Sequence, residues 1–294
     1  MNLSVYQGYE EKKQHTTQDF AYNTYLCSLP LDFQNVPLHW HADIELIVVK
    51  KGRGIIRVDL QTHHVRAGDI ILLLPGHLHE ILQEDSYSME YENILFEESL
   101  LLPIGGDQAT ATRLKPLFRG DLLPETVLFR EGLPYYDDLW SLISDIDQHC
   151  DLRPIGWQLI VKSNLLRIFF ILLQHTDHTR PTAHAARSLE KLKVLTTYVE
   201  AHISEEITVE MMADLTHYSK AHFMRFFHQQ TGSRFTEWLN DYRLSMAARA
   251  LTSTDDHIIE IAQQNGFYNL SYFNRLFKEK YQMTPRQFRR ENKA

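Results

Sequence analysis

Two stretches near the C-terminus, ITVEMMADLTHYSKAHFMRFFHQQTG (residues 207–232) and IIEIAQQNGFYNLSYFNRLFKEKYQMTP (residues 258–285), carry one pattern twice, about fifty positions apart. Setting Ala213 against Ala262 pairs Tyr218 with Phe267. One extra residue in the second turn then pairs Phe223 with Phe273, Arg225 with Arg275 and Phe227 with Phe277. Self-similarity of this kind marks one supersecondary unit used twice. In each copy a short apolar helix (Val209, Met212, Ala213; then Ile258, Ile261, Ala262) leads through a turn into a second helix, and Ser219 and Asn269 stand where they cap it. Within the second helices Phe223, Phe226 and Phe227, and likewise Phe273, Leu276 and Phe277, recur at helical spacing and predict the buried face.

The opposite faces are thereby fixed. They present Ala221, Met224, Arg225 and His228 in the first copy and Ser271, Asn274, Arg275 and Lys278 in the second. Arg reads guanine bidentately, Asn reads adenine, and Ala or Met touches a thymine methyl. Lys220 and Lys278, at the edges, suit phosphates. A helical bundle with a basic solvent face is the plainer alternative, and repetition in register weighs against it.

These residues resemble the AraC/XylS family of bacterial transcription regulators, whose DNA-binding unit has two helix-turn-helix motifs joined by a long helix. The resemblance covers Leu189 to the C-terminus. FTEWLNDYRLSMAARALTSTD would be the joining helix, where Arg243, Leu244, Ala247, Ala248 and Leu251 match the start of the family signature. Gly266, Phe267, Tyr272, Phe273, Phe277, Thr284 and Pro285 continue it. Gln282 departs from the pattern: Gly is common there and Gly232 stands in the first copy, so a differently shaped loop is expected before Thr284.

Charge follows the same division. The chain of 294 residues has a net charge of −8, of which residues 1–188 carry −9, residues 189–294 carry +1 and the part from Lys220 onward +5. Basic charge is thus concentrated where both proposed recognition helices lie. Cys27 and Cys150 do not make a disulfide framework and read as buried or free thiols. The N-terminus has no apolar stretch of signal-peptide length. QLIVKSNLLRIFFILLQ, the most apolar run, is interrupted by Lys162 and Arg167 and reads as too short to span a bilayer. A cytoplasmic protein with no membrane partner is expected.

From Tyr22 to Glu97 short apolar runs (YNTYLCSL, IELIVV, GIIRVDL, DIILLLP, SMEYENILF) alternate with turns, and KKGRG reads as a hairpin between the second and third. Many short strands argue for a β-sandwich or small barrel. PLHWHADIELIVVKKG and GDIILLLPGHLHE closely resemble the two motifs of the cupin superfamily, in which His39, His41, Glu45 and His79 would bind a divalent metal. On one strand His39, His41 and Glu45 keep the same parity and converge inside a barrel. That set suits Zn, Fe, Mn or Ni. Effector contact without metal and a hydrogen-bonded core are the other two readings. His77, beside His79, reads as solvent-facing, and His63 and His64 as surface residues in a turn.

The expected fold is therefore multidomain β plus α. A cupin-like jelly-roll barrel spans 1–130, a helical connector 131–176, a linker around Pro181 spans 177–188, and the all-α tandem helix-turn-helix domain spans 189–294. In the connector Leu159, Leu166, Phe169, Phe170 and Leu173 form an apolar stripe, and the resemblance implies dimerisation there. The expected function is sequence-specific control of transcription by a homodimer on double-stranded operator DNA. A small effector in the barrel, a sugar or related metabolite by the resemblance, governs it, and RNA polymerase is a further partner if the protein activates. A metal-responsive regulator is the alternative, and a cupin metalloenzyme the rival of another class. No enzymatic activity is expected.

Overall fold

A computed structural model describes residues 20–32, 34–102, 106–177 and 183–292. The N-terminal stretch and part of the linker, residues 178–182 with Pro181, lie outside the described residues. Seven strands open the fold: β1 (Tyr22–Leu29), β2 (Asn35–His39), β3 (Ile44–Val58), β4 (Gln61–Arg66), β5 (Ile70–Leu73), β6 (His79–Gln83) and β7 (Met89–Phe96). After helices α1 (Glu98–Leu101) and α2 (Gln108–Phe118) come two short strands, β8 (Leu123–Pro124) and β9 (Leu128–Phe129). All neighbours pair antiparallel, and β3 is common to two leaves: its first half lies between β7 and β5, its second between β4 and β6.

The bend in β3 falls where the sequence predicted a hairpin. KKGRG makes no turn: the strand runs through it with a register shift against β7 between Val49 and Lys51. Gly52 there has φ of 75°, and a Cβ on it would lie 1.9 Å from the Ser88 carbonyl oxygen. A bulge of this kind lets one strand turn a corner between sheets. The tight turn comes later, at Asp59 and Leu60, both with positive φ, between the paired residues Val58 and Gln61. Asp59 is locked to β6, its amide donating to the Leu78 carbonyl and its carboxylate accepting from the Leu78 amide. His63 and His64 therefore stand on β4 and not in a turn; His64 is exposed and His63 half-buried.

The apolar run Ile44–Val49 lacks alternation because both of its faces are covered. Ile47 and Val49 point between the leaves with Ile56, Ile71, Leu73 and Tyr91. Ile44, Leu46 and Val48 point outward against α3 (Tyr136–Leu152) and α4 (Trp157–Gln174). In α4 the buried face is Val161, Asn164, Leu165, Ile168, Phe169 and Leu172. Of the predicted stripe only Phe169 is fully buried, while Leu159 and Phe170 are 73% and 64% exposed. The helix is apolar nearly all round, so spacing alone did not fix which face meets the sheet. By length and composition α4 can cross a membrane, which corrects the reading that it is too short; here it packs on α3 and the sheet.

After β10 (Thr176–Asp177), which pairs with β8, the described chain resumes in α5 (Ala183–Ala201), so a helix begins inside the stretch read as linker. Then follow α6 (Val209–Leu215), α7 (Lys220–Thr231), α8 (Phe235–Ser253), α9 (Ile258–Gln264), α10 (Leu270–Tyr281) and α11 (Pro285–Asn292). Thr208, Ser219 and Asn269 cap α6, α7 and α10 by accepting from Met211, His222 and Tyr272 amides. The N-terminal half of α8 (Phe235, Trp238, Leu239, Tyr242) packs with α6 and α7, and its C-terminal half (Leu244, Ala247, Ala248, Leu251) with α9 and α10. Leu38 and Leu78 of the barrel are buried in the first of these cores. Burying each contributes about 1.5–3 kcal/mol, so the barrel is docked on the helical domain by apolar contact. Gln282 closes α10 in the left-handed region at φ 55°, as Gly232 closes α7 at φ 79°, so the loop keeps the common shape despite the side chain.

Candidate effector chamber and DNA-binding faces

Four residues read from the two N-terminal motifs meet at one point. The single-strand geometry expected for them needs correcting: β2 ends at His39, the chain bends at Ala42 and Asp43, and Glu45 lies on β3. Convergence survives because β2 pairs with β6, which brings His79 opposite His39, while Glu45, paired with β5 and β7 in the other leaf, lines the same cavity. Ring centroids of His39 and His79 are 4.1 Å apart, and those of His41 and His79 5.1 Å. Glu45, 3% exposed, places Oε2 2.9 Å from His41 Nε2 and 3.4 Å from His79 Nε2.

The tautomers follow from the backbone. Nδ1 of His39, His41 and His79 lies 2.8, 3.0 and 2.9 Å from the carbonyl oxygens of Pro37, Asp43 and His77. A carbonyl only accepts, so each Nδ1 carries a proton and donates it, which turns each Nε2 to the common centre. Potential ligand atoms of the three rings lie within 4.8 Å of one another. Burial would raise the Glu45 pKa, but hydrogen bonds and charge from His41 and His79 override it and hold the carboxyl well below the usual range. Burial works against protonation of His41, and Glu45 more than restores it; His39, buried beside the other two rings, is pushed well down. One carboxylate thus serves two of the three imidazoles.

The cavity over this cluster has a volume of about 40 Å³, and its far wall belongs to the helical domain: Glu200 of α5 and Tyr242, Met246 and Arg249 of α8. Asn93 on β7 also lines it, with Oδ1 buried and no hydrogen-bond partner among the described residues. His77 does not face solvent as expected. Its side chain is 14% exposed, with Nε2 3.9 Å from Asp59, in a region that α5 covers through Lys193.

All nine residues assigned to DNA are exposed: Lys220, Ala221, Met224, Arg225 and His228 on α7, and Ser271, Asn274, Arg275 and Lys278 on α10. Behind them Phe223, Phe226, Phe227, Phe273 and Phe277 are buried. Lys220 is paired with Glu210 of α6, and Arg275 lies near both Glu279 and the Tyr272 ring.

Comparison with known proteins bears on both halves. A family profile described as a helix-turn-helix domain matches residues 212–291, and one described as an AraC-like ligand binding domain matches residues 30–151. The chain belongs to the AraC family. It is similar to the HTH-type transcriptional regulator YdeC of Bacillus subtilis strain 168, at 20% identity over 99% of each chain. YfiF, a regulator of the same type and strain, is 25% identical over 92% of this chain and 84% of its own. Among solved structures, ToxT from Vibrio cholerae matches with a TM-score of 0.49 and 14% identity over 93% of this chain and all of that one.

This AraC-family chain is accordingly a DNA-binding transcription regulator with a ligand-binding domain. The sequence reading missed the helical wall of its chamber. Tyr242, Met246 and Arg249 do share one helix face by their spacing, yet nothing in their order says that a barrel covers that face. Asn93 was legible in principle, as a lone amide on β7 with the inward parity of Met89 and Tyr91.

Proposed function

We propose that this regulator reads its signal in the chamber between barrel and α8 and answers it by changing how α7 and α10 are presented to DNA. The observation that carries the reading is the shared wall: His39, His41, Glu45 and His79 on one side, Glu200, Tyr242, Met246 and Arg249 on the other. An occupant there touches both domains at once, and its differential affinity for two domain arrangements is the coupling free energy.

The chemistry of the donor set favours a divalent transition metal. Three imidazoles with Nδ1 tied to backbone carbonyls are oriented as metal ligands are by their outer hydrogen bonds. Glu45 supplies a carboxylate, and the unsatisfied Asn93 Oδ1 could accept from a metal-bound water. Held by His39, His41, His79 and Glu45, Zn, Fe, Mn or Ni would supply a fixed positive charge. Room for an ion with a few waters matches a cavity of about 40 Å³. A sugar or similar metabolite is the second reading: it enters only by moving α8 away from the barrel, and would then act as a wedge between the domains.

At the DNA, Arg225, Arg275 and Asn274 are assigned to base edges, with Ala221, Met224, His228 and Ser271 beside them and Lys220 and Lys278 at phosphates. Recognition helices held by one long helix would enter successive major grooves about 10 base pairs apart. Homodimerisation is assigned to the outer face of α4. The test is operator affinity and metal content of wild type and His41→Ala, measured with and without added zinc(II). Loss of metal and of the zinc-dependent change in affinity, with zinc-free DNA binding within a few-fold, is the expected result. An intact response with unchanged metal content would show that the cluster is part of the core.

A further inference from the structure

We propose that the barrel clamps the C-terminal ends of both recognition helices and so fixes the placement of one helix-turn-helix unit relative to the other. The first clamp is Arg57 on β3. Its Nη1 donates to the carbonyl of Thr231, the last residue of α7, at 3.1 Å, and to Glu80 of β6 at 2.7 Å. Carbonyls at a helix end have no partner within the helix and carry its negative pole, so a guanidinium suits that place. A second clamp grips α10. Lys280, with its side chain 10% exposed, donates to Asn35 Oδ1 at 3.4 Å and Ser245 Oγ at 2.9 Å and pairs with Asp241. Asn35 Nδ2 in turn donates to Asp241 Oδ2 at 3.2 Å, and Gln34 Nε2 to the Lys280 carbonyl.

Neither clamp covers the residues assigned to bases, so the clamps orient the two faces without blocking them. Helix α8 joins the units along one line, and the turn before α10 adds a direct contact in which the Tyr268 hydroxyl donates to the Ser204 carbonyl; contacts at the ends of α7 and α10 add two further points off that line and resist twisting and splaying. Both clamps also begin beside the chamber. Glu80 follows His79 on β6, and Asn35 lies four residues before His39 on β2. Glu80 is adjacent to His79, so a shift of that histidine moves the first clamp directly; between Asn35 and His39 the pairing with β6 shifts register. Transmission of chamber occupancy along this path rests on the function proposed above, whereas the clamps themselves do not. Arg57, Glu80, Asn35 and Lys280 are therefore positioning residues.

The experiment compares full-length wild type with the double variant Asn35→Ala/Arg57→Ala, altered only on the barrel side. An operator is selected from random DNA with the wild-type chain and then lengthened or shortened by one base pair between its two contact blocks. With the clamps in place a one-pair change should weaken binding roughly tenfold or more, as a misplaced contact block does. The double variant should lose roughly threefold or less, because its units re-space at lower cost. Asn35→Ala alone, which leaves Arg57 and Glu80 paired, should fall between them. Equal spacing penalties in wild type and the folded variants would overturn the proposal, as would a wild type indifferent to spacing. Zinc content of the same preparations reports separately on the chamber, so failure of the metal reading is distinguishable from failure of the clamps.

Discussion

Arg225 and Arg275 hold equivalent places in the two repeats, each exposed above a buried phenylalanine pair that sets its direction. A bidentate arginine–guanine contact is worth about 1–3 kcal/mol of discrimination, so Arg225→Ala or Arg275→Ala should weaken operator binding roughly tenfold and relax preference at one position. Competition between operator and random DNA measures this, and equal loss on both would remove the base-reading role. Lys278→Ala should instead weaken all sequences alike and flatten the salt dependence. Single residues were legible in the repeat because one helix face, once known to be buried, fixes the other. His77 was misread because, two residues from His79, it would share that residue's parity on a strand, and it in fact lies in the turn before β6, where α5 covers it.

Among the elements, β3 shows what a local signal leaves open. Two lysines and two glycines in KKGRG suit a hairpin turn, but the strand stays paired throughout, passing from β7 at Gly52 to β4 and β6 at Arg53 and Gly54, and the glycine makes a bulge in place of a turn. Gly52→Ala should therefore be severely destabilising, by about 3 kcal/mol or more, since the strained φ adds to a clash with backbone at Ser88. Urea melts of the two proteins check this; a variant within about 0.5 kcal/mol of wild type would mean that the corner is not tightly fixed. For α4 the amphipathic phase was ambiguous for a related reason, since residues on every side are apolar. Its outward Leu159 and Phe170 carry the dimer assignment, and Leu159→Asp/Phe170→Asp should convert a full-length dimer into a monomer in sedimentation at micromolar concentration while leaving the sheet-facing side intact.

In the whole molecule, the sheet is tied to its helical cover by Lys50, which lies 2.7 Å from Glu92 on β7 and 2.6 Å from Asp147 on α3. Burial, and then the charge of Asp147, push the Glu92 carboxyl up to about 7 despite the lysine. The folded state thus holds this proton more tightly than the unfolded chain, whose carboxyl titrates near 4.5. Its contribution to stability is full below that pH and is lost as pH rises through 7. Relative to Glu92→Gln, wild type should lose at most about 3 kcal/mol between pH 4.5 and pH 8, at 1.36 kcal/mol per pKa unit. Denaturant titrations at the two pH values measure it, and a constant difference would place the Glu92 carboxyl at an ordinary pKa.

By itself the sequence determined the tandem helix-turn-helix domain, its caps and its outward residues, because helical period and turn chemistry act over a few residues. It also grouped His39, His41, Glu45 and His79, through motif spacing and the cupin resemblance, although it put the first three on one strand. Tertiary structure decided how they meet: β2 stops at His39, β3 begins again before Glu45, and β6 supplies His79 from across the leaf. It alone decided that α8 closes the chamber and that Asn35 and Arg57 reach the ends of α10 and α7. Those contacts join residues about 170 to 250 positions apart through docking of two separately built cores, which no local pattern encodes.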